Sequence, residues 1–160
     1  MPVRDGGEFL QAATDSILRQ THHSLELVLV DDHSADGAID RLPGDDPRMR
    51  IVASEGSGVS NAFNTGFAHA HGKWIARMDA DDIALDTRIE RQVRFLAEHP
   101  DIDICGACVE IFTGGAIGGG NRRYQSWLNG CRSPSSIQRE LFIESPIPNP
   151  TVMFRREALV

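Results

Sequence analysis

The segment Leu25-Glu26-Leu27-Val28-Leu29-Val30-Asp31-Asp32 carries the clearest structural signal in this 160-residue chain. Leucine and valine fill five of its first six positions, and the apolar run ends abruptly in two aspartates. Short apolar runs of this kind are typical of strands that are buried on both faces of a parallel sheet. The segment therefore predicts an α/β fold in which this strand is central and Asp31 and Asp32 mark its carboxyl end.

Helical and strand patterns alternate on both sides of this segment. Apolar residues at helical spacing predict a first helix with one buried face, formed by Phe9, Leu10, Ala13, Ile17 and Leu18. Further helices are predicted over residues 59–70, 87–99 and 135–143, a short helical turn near 39–42, and strands over 50–53, 74–78, 102–112 and 151–154. Thr87-Arg88-Ile89-Glu90 matches a capping box, and residues 113–120 predict a glycine-rich loop. Strands separated by such helices imply right-handed crossovers and a mainly parallel sheet.

Composition and charge exclude several classes of protein. Lys and Arg number 16 against 23 Asp and Glu, and the net charge of −7 argues against nucleic acid or an anionic membrane as the main partner. No apolar run approaches the ~20 residues that span a bilayer, and charges at Arg4, Asp5 and Glu8 interrupt any signal peptide. Three cysteines are too few for a disulfide framework. We therefore expect a protein of the reducing cytoplasm, with the inner face of the membrane as a further location.

Two acidic clusters follow predicted strands, namely Asp31-Asp32 and Asp79-Ala80-Asp81-Asp82. Ligands bind beyond the carboxyl ends of the strands in an open parallel sheet, so we expect both clusters on one rim. Two like charges ~4 Å apart repel by about 1 kcal/mol in water and about 4 kcal/mol at an effective dielectric near 20. Such carboxylates bind a divalent cation, have raised pKa values, or turn into solvent. Alone, an Asp-x-Asp pattern is a weak signal, because aspartates also cap turns and helices.

Two other kinds of protein use a similar acidic pattern. An EF-hand loop starting at Asp79 is excluded, because Ile83 and Ala84 stand where an oxygen ligand and a glycine are required. A phosphatase of the haloacid dehalogenase type also has Asp-x-Asp after a strand. It would have Thr or Val in place of Asp82 and its motif near the amino terminus, so it stays a distant alternative.

Three further motifs give weaker signals. Gly56-Ser57-Gly58-Val59-Ser60-Asn61 nearly matches the dinucleotide-binding fingerprint, but Asn61 replaces its last glycine. We expect a turn there whose following helix supports the ligand rim with its amino terminus. Cys105 and Cys108 have the spacing of zinc ligands but no second pair, and no histidine has a Ser or Cys partner at motif spacing. Neither a zinc site nor a catalytic triad is therefore predicted.

Taken in chain order, a series of motifs resembles the family 2 glycosyltransferases. These motifs are Met1-Pro2-Val3-Arg4-Asp5, Ile17-Leu18-Arg19-Gln20-Thr21, Leu27-Val28-Leu29-Val30-Asp31-Asp32-His33-Ser34-Ala35-Asp36-Gly37, Gly58-Val59-Ser60-Asn61-Ala62-Phe63-Asn64-Thr65-Gly66, Gly72-Lys73-Trp74-Ile75-Ala76-Arg77-Met78-Asp79-Ala80-Asp81-Asp82 and Asn149-Pro150-Thr151-Val152-Met153-Phe154-Arg155-Arg156. The resemblance implies a GT-A fold, which is a Rossmann-like three-layer sandwich with a mainly parallel central sheet. It also implies a metal-dependent enzyme that transfers a sugar from a nucleotide-diphospho-sugar to an acceptor hydroxyl with inversion.

The resemblance also implies which residues bind the nucleoside. Pro2 and Arg4, at the end of the first strand, would flank the base. Asp32 would accept a hydrogen bond from the pyrimidine, with Asp31 beside it, as a carboxylate accepts from a base N–H. These roles imply a UDP- or dTDP-sugar as the partner, whereas the sugar and the acceptor are not indicated.

For the metal, the resemblance implies Asp81 together with Asp79, which would also face the ribose. Mn²⁺ or Mg²⁺ held by one or two carboxylates keeps coordination sites free for phosphate oxygens and offsets charge on the departing nucleotide. Two positions depart from the family pattern. His33 stands where many relatives have Gly, and Phe63 stands where many have Arg, which leaves the phosphates with one cation fewer.

By the same resemblance, residues 1–160 form a single nucleotide-sugar-binding domain that is truncated at both ends. The chain would begin inside the first strand and stop before the acidic residue that deprotonates the acceptor. No catalytic residue is therefore assigned, and the base is expected beyond Val160. A non-catalytic nucleotide-sugar-binding module that lacks this base is the main alternative function.

Overall fold

The computed structural model of the chain describes residues 1–159. Its α-helices are α1 (Phe9–Leu18), α2 (Val59–His69), α3 (Arg88–Glu98), α4 (Gly119–Gly130) and α5 (Pro134–Glu140). Its strands are β1 (Pro2–Val3), β2 (Leu27–Asp31), β3 (Met49–Ala53), β4 (Trp74–Ala76), β5 (Ile104–Cys105) and β6 (Met153–Arg155). Short 3-10 turns cover Ile39–Arg41, Asn149–Thr151 and Arg156–Leu159.

The three amino-terminal strands form a parallel sheet in the order β1-β2-β3. Val30 of β2 lies opposite Pro2 of β1, and Leu27 lies opposite Met49 of β3. All side chains from Leu27 to Val30 are buried. The predicted central strand is therefore confirmed, although it begins at Leu27, two residues later than expected.

Helices cover both faces of this first sheet. On one face, Leu29 packs with Val3 and with Leu10 of α1. On the other face, Val30 packs with Ala62 of α2. Successive side chains of a strand point to opposite faces, so the apolar run of β2 supplies the core on both sides. The two helical layers and the sheet between them make the expected three-layer sandwich.

The strand before the second acidic cluster lies in a separate sheet, whose order is β4-β6-β5. Both pairings in this sheet are antiparallel. This half of the molecule departs from parallel pairing because β6 returns from the carboxyl-terminal segment in the opposite direction. β4 ends at Ala76, so the acidic cluster follows a short irregular stretch and not the strand itself.

Helix α2 connects the two sheets. Besides Ala62 on the first sheet, its Phe63 and Phe67 rings pack against Phe154 of β6, with centroid separations of 6.1 and 6.4 Å. The adjacent residue of β6, Met153, faces the other way and packs on α3. The second sheet is thereby fixed against the first by one amphipathic helix.

The strand predicted over residues 102–112 is wrong for most of its length, because only β5 forms there. The backbone after β5 is hydrogen-bonded by side chains of α4 and not by a neighbouring strand. Asn129 accepts from the N–H of Val109 and donates to its carbonyl, both at 2.8 Å, and Gln125 accepts from the N–H of Ile111 at 2.7 Å. Because these backbone groups of Val109 and Ile111 already have partners, the segment after β5 needs no strand pairing and is irregular.

Two helix starts also differ from the predictions. Helix α4 occupies residues to which the sequence assigned no helix, and it begins inside the predicted glycine-rich loop at Gly119. The capping box predicted at Thr87 is wrong, because the Thr87 side chain makes no cap bond and Glu90 accepts from the Thr21 hydroxyl at 2.6 Å. A capping box forms instead at the start of α5, around Ser133.

Candidate functional site

A cleft of about 470 Å³ lies beyond the carboxyl ends of β1 and β2 and beside the segment after β4. We call it the rim cleft. It is lined by Pro2, Val3, Arg4, Asp5, Gly6, Phe9, Asp32, Gly58, Val59, Ala62, Arg77, Asp79, Ala80 and Asp81. Five of the six site residues named from the sequence are in this lining, and the sixth, Asp31, is not. Both acidic clusters therefore contribute to one hollow, as expected for a shared rim.

Asp32 is buried and holds the glycine turn that precedes α2. Its two carboxylate oxygens accept from the N–H of Gly58 at 3.1 and 2.9 Å. Gly58 has φ +94°, a backbone conformation that glycine adopts without steric cost. Arg4 lies 3.8 Å from the same carboxylate. A carboxylate has about four acceptor positions, so Asp32 retains capacity for a further donor from a ligand in the cleft.

Asp31 faces away from Asp32, because successive residues of a strand point to opposite sides. Its carboxylate accepts from the N–H of Ser34 at 2.8 Å, which shapes the turn after β2. That turn is tied to the loop after β1, since Asp5 accepts from the N–H of Ala35 at 2.8 Å and donates its own N–H to the Ser34 hydroxyl. Asp31 thus supports the wall of the cleft from behind.

The second acidic cluster supplies Asp79 and Asp81 to the cleft. The guanidinium of Arg77 lies 3.4 Å from the Asp79 carboxylate. Asp82 is only partly exposed, and burial, followed by the negative charges of Asp81 and Asp79, raises the pKa of its carboxyl. The raised pKa of Asp82 thus reflects burial first and, to a smaller extent, the crowding of like charges that the sequence pattern predicts.

Arg88 holds the backbone that leads into this acidic cluster. Its guanidinium donates to the carbonyl of Arg77 at 2.6 Å and to the carbonyl of Pro150 at 2.9 Å, while Gln92 accepts from its Nε at 3.1 Å. Burial lowers the pKa of Arg88 to about 10. Arg88 therefore connects the start of α3, the acidic segment and the turn before β6 through partly buried hydrogen bonds.

The charges in the rim cleft are suited to a cation and a diphosphate together. Four carboxylates line it against two guanidinium groups, those of Arg4 and Arg77. An anionic diphosphate would be repelled by this excess of negative charge unless a cation lay between them. Within residues 1–159, no group of three His, Cys, Asp or Glu side chains is placed to hold a metal alone. Asp79 and Asp81 fit the mode in which Mg²⁺ or Mn²⁺ takes one or two carboxylates and completes its shell with substrate phosphates.

Arg77 and Phe9 line the cleft but were not predicted from the sequence as site residues, and Gly58 was expected only as part of a turn that supports the rim. Arg77 stands two positions before Asp79. Side chains two apart in an extended segment point to the same side, so this spacing could have indicated Arg77 as a site residue. Phe9 was assigned to the buried face of the first helix, but it is 51% exposed and lines the cleft. Only the folded arrangement shows that the amino terminus of α1 approaches the rim.

Solved structures share this fold over nearly the whole chain. A mannosyltransferase from Pyrobaculum calidifontis, in complex with GDP-Man and Mn²⁺, gives a TM-score of 0.71 at 23% identity over 99% of this chain and 44% of that one. S. aureus TarS 1-349 in complex with UDP gives 0.69 at 18% identity over 99% of this chain and 46% of that one. The fold is GT-A, the architecture of nucleotide-sugar transferases.

The sequence matches Glycosyl transferase family 2 over residues 1–160, and the chain belongs to this family. It is 30% identical over 155 residues to a glycosyltransferase of Haemophilus influenzae. The aligned region covers 92% of this chain and 48% of that protein. It is 31% identical over 101 residues to an Escherichia coli UDP-Glc:alpha-D-GlcNAc-diphosphoundecaprenol beta-1,3-glucosyltransferase, WfgD, covering 62% of this chain and 40% of that protein. The chain thus spans about half the length of the curated relatives it matches.

In the part of the chain that the structure describes, no helix is both long enough and apolar enough to cross a membrane.

Proposed function

We propose that this chain binds a nucleotide-diphospho-sugar in the rim cleft and forms the donor-binding part of a metal-dependent, inverting glycosyltransferase. One observation carries the proposal. Pro2, Arg4, Asp32, Asp79 and Asp81, which come from three separate segments of the sequence, line a single hollow. Membership of the family supports the transferase activity and disfavours the phosphatase alternative.

In this proposal the nucleoside lies against β1 and the turn before α2. Asp32 is held by the Gly58 N–H in one orientation, and its remaining lone pairs accept from the base N–H. Pro2 and Arg4 contact the base on either side. Because Asp32 is buried, a hydrogen bond to its charge is made in a partly desolvated environment, where it is stronger than in water.

The diphosphate lies toward the second acidic cluster. Mn²⁺ or Mg²⁺, held by Asp81 with Asp79, offsets the negative charge of the diphosphate and of the leaving nucleotide when it is bound. Arg77 supplies a positive charge on the same side of the cleft, whereas Phe63, at the family's usual arginine position, lies outside the cleft lining and packs on Phe154. Arg88 keeps the backbone of the cluster in place through the Arg77 carbonyl.

The donor and acceptor classes are proposed from the relatives. Structural neighbours hold UDP, UDP-GlcNAc and GDP-Man, and we favour a UDP- or dTDP-sugar because Asp32 suits the N–H of a pyrimidine. The name of WfgD specifies a lipid-diphosphate acceptor, and we extend the proposal to the assembly of cell-surface polysaccharide at the cytoplasmic face of the membrane. We assign no catalytic base within residues 1–159 and propose that it lies beyond Val160.

Calorimetric titration with UDP, dTDP and GDP tests the donor site. We expect a pyrimidine diphosphate to bind with Mn²⁺ or Mg²⁺ and to bind far more weakly in EDTA. Loss of groups that only support a metal ligand already costs 10–100-fold, so Asp81→Asn should weaken binding by at least about 100-fold. Asp86→Asn removes an exposed carboxylate of the same segment outside the cleft and is the matched control. Equal affinity with and without metal would reject the proposal.

Transfer and donor-hydrolysis assays separate the enzyme from the non-catalytic alternative. They should be run on this chain and on a chain that continues beyond Val160 to the length of the relatives. We expect turnover with the longer chain and none with the chain of 160 residues. Tight donor binding without turnover in either chain would instead favour a binding module.

A further inference from the structure

Charge is distributed unevenly along this acidic chain. Residues 111–139 contain four arginines and no Asp or Glu; the arginines are Arg122, Arg123, Arg132 and Arg139. All 23 acidic side chains of the chain therefore lie outside this range, together with only 12 of its 16 basic ones. The net charge of −7 argues against an anionic membrane for the chain as a whole, but it does not describe this basic segment.

The basic segment folds with the residues after it into two helices that lie side by side. The hydroxyl of Tyr124 donates to the Glu144 carboxylate at 2.9 Å, and the indole N–H of Trp127 donates to the Glu140 carboxylate at 3.1 Å. The earlier residue of α4 is thus bonded to the later of the two glutamates, so the two arms run antiparallel. We call residues 119–144, which comprise α4, α5 and the turn after α5, the basic hairpin.

Three consecutive apolar side chains are exposed in the turn after α5. Leu141, Phe142 and Ile143 are 57%, 95% and 74% exposed, and the N–H of Ile143 closes the turn on the carbonyl of Glu140 at 2.8 Å. Single exposed apolar residues are ordinary, whereas a contiguous apolar patch marks an interaction surface. The Glu140 carboxylate beside this patch is itself paired, because it also accepts from Nε of Arg139 at 2.9 Å.

The chemistry of the basic hairpin is complementary to the surface of an anionic bilayer. Apolar side chains enter the acyl region, Tyr and Trp rings favour the level of the headgroups, and arginines attract anionic lipids. Tyr124 is partly exposed, and the arginines before it, Arg122 and Arg123, are exposed as well. A nucleic acid would use the arginines and the aromatic rings but offers no apolar medium for Leu141 and Ile143.

We propose that the basic hairpin docks this chain on a membrane surface that contains anionic phospholipids. Phe142 and Ile143 enter the acyl region, while Arg122 and Arg123 contact the lipid phosphates. The docking deepens the membrane location proposed above and rests on that part of the proposed function alone, because no residue of the basic hairpin lines the rim cleft.

Vesicle sedimentation tests the role of charge. The 160-residue chain is mixed with vesicles of phosphatidylglycerol and phosphatidylcholine, or of phosphatidylcholine alone. We expect binding to the anionic vesicles that weakens as salt is added, and far weaker binding to the neutral ones. Each arginine near an anionic surface is worth about fivefold in affinity, so Arg122→Ser with Arg123→Ser should weaken binding by about 25-fold. Arg91→Ser with Arg94→Ser, at two exposed positions of α3, is the matched control and should bind normally.

Two further variants test the apolar contact. Phe142→Ser with Ile143→Ser should weaken binding to anionic vesicles by about tenfold or more. Leu85→Ser removes a side chain that is 80% exposed outside the hairpin and should leave binding unchanged. Lipids brominated in their acyl chains should quench the fluorescence added by Phe142→Trp but not that added by Leu85→Trp. Because these side chains are exposed and lie outside the rim cleft, urea midpoints and UDP affinity should stay as in the parent chain.

Several results would overturn the proposal. Equal binding to anionic and neutral vesicles would do so, as would unchanged binding after loss of the two arginines or of the apolar pair. Tighter binding of a single-stranded oligonucleotide than of anionic vesicles would assign the hairpin to nucleic acid. Loss of vesicle binding in a chain that continues beyond Val160 to the length of the relatives would show that the continuation covers the hairpin, and would also overturn the proposal.

Discussion

Acetylation of the Met1 amino group changes the pH dependence of stability by an amount that the structure defines. In the folded chain, burial lowers the pKa of this amine from its ordinary value of 8.0 to about 5. The charge of Asp79 raises the pKa and that of Arg77 lowers it, and both effects are smaller than that of burial. An acetylated nitrogen keeps the N–H that donates to the carbonyl of Val28 but never carries the charge, and the cavity of about 630 Å³ that Met1 lines has room for the acetyl group.

The sign and size of this change in the free energy of unfolding follow from proton linkage. Between pH 8 and pH 5 the unfolded amine holds a proton and the folded amine does not, so the free energy of unfolding falls as the pH falls. Each pH unit corresponds to 1.36 kcal/mol. Over the three units between the two pKa values, the free-amine chain should lose about 4 kcal/mol relative to the acetylated chain.

Urea unfolding of both chains at pH 5, 6, 7 and 8 measures this difference. Every other titrating group is common to the two proteins, so its contribution cancels in the difference. We expect the two free energies of unfolding to agree near pH 8 and to separate steadily toward pH 5. A separation that stays constant across this range would refute the burial of the amine.

Three substitutions test the supports of the cleft and of the second sheet, each measured by urea unfolding. Asp32→Ala leaves the Gly58 N–H without its charged acceptor and should cost about 2 kcal/mol, with a parallel loss of UDP affinity; unchanged stability would contradict its role as an anchor. Arg88→Met removes hydrogen bonds to two backbone carbonyls and should cost about 2–3 kcal/mol, and wild-type stability would show that those carbonyls find other donors. Gly106→Ala brings a Cβ into the Ile147 side chain and should cost about 1–3 kcal/mol, whereas Gly114→Ala, in open space, is the neutral control.

The sequence predicted the elements whose periodicity is continuous. β2 reads as an apolar run because both of its faces are buried, and α2 repeats its apolar residues at helical spacing because it packs on two sheets. The shared rim of Asp32 and Asp81 followed from the rule that ligands bind at the carboxyl ends of strands. Asp32 and Asp81 share one cleft although β4 belongs to a different sheet.

The remaining features depend on long-range contacts that no local pattern encodes. The segment after β5 has strand-like residues, but side chains of α4 take its backbone hydrogen bonds. Glu90 bonds to Thr21, a residue far away in sequence, and so leaves the expected capping box unformed. Asp31 and Asp32 are neighbours with equal chemistry, and only the pleat of β2 decides that Asp32 faces the cleft.

Paramagnetic broadening by Mn²⁺ tests most directly whether a metal joins the acidic cluster to a bound diphosphate. Amide resonances of the isotope-labelled chain are recorded with UDP, first with Mg²⁺ and then with a small fraction of Mn²⁺. We expect selective loss of the amide signals of Ala80, Gly58 and Arg4 only when UDP is present, and no such loss in Asp81→Asn. Broadening centred elsewhere, or equal broadening without UDP, would contradict a metal that bridges the carboxylates and the nucleotide.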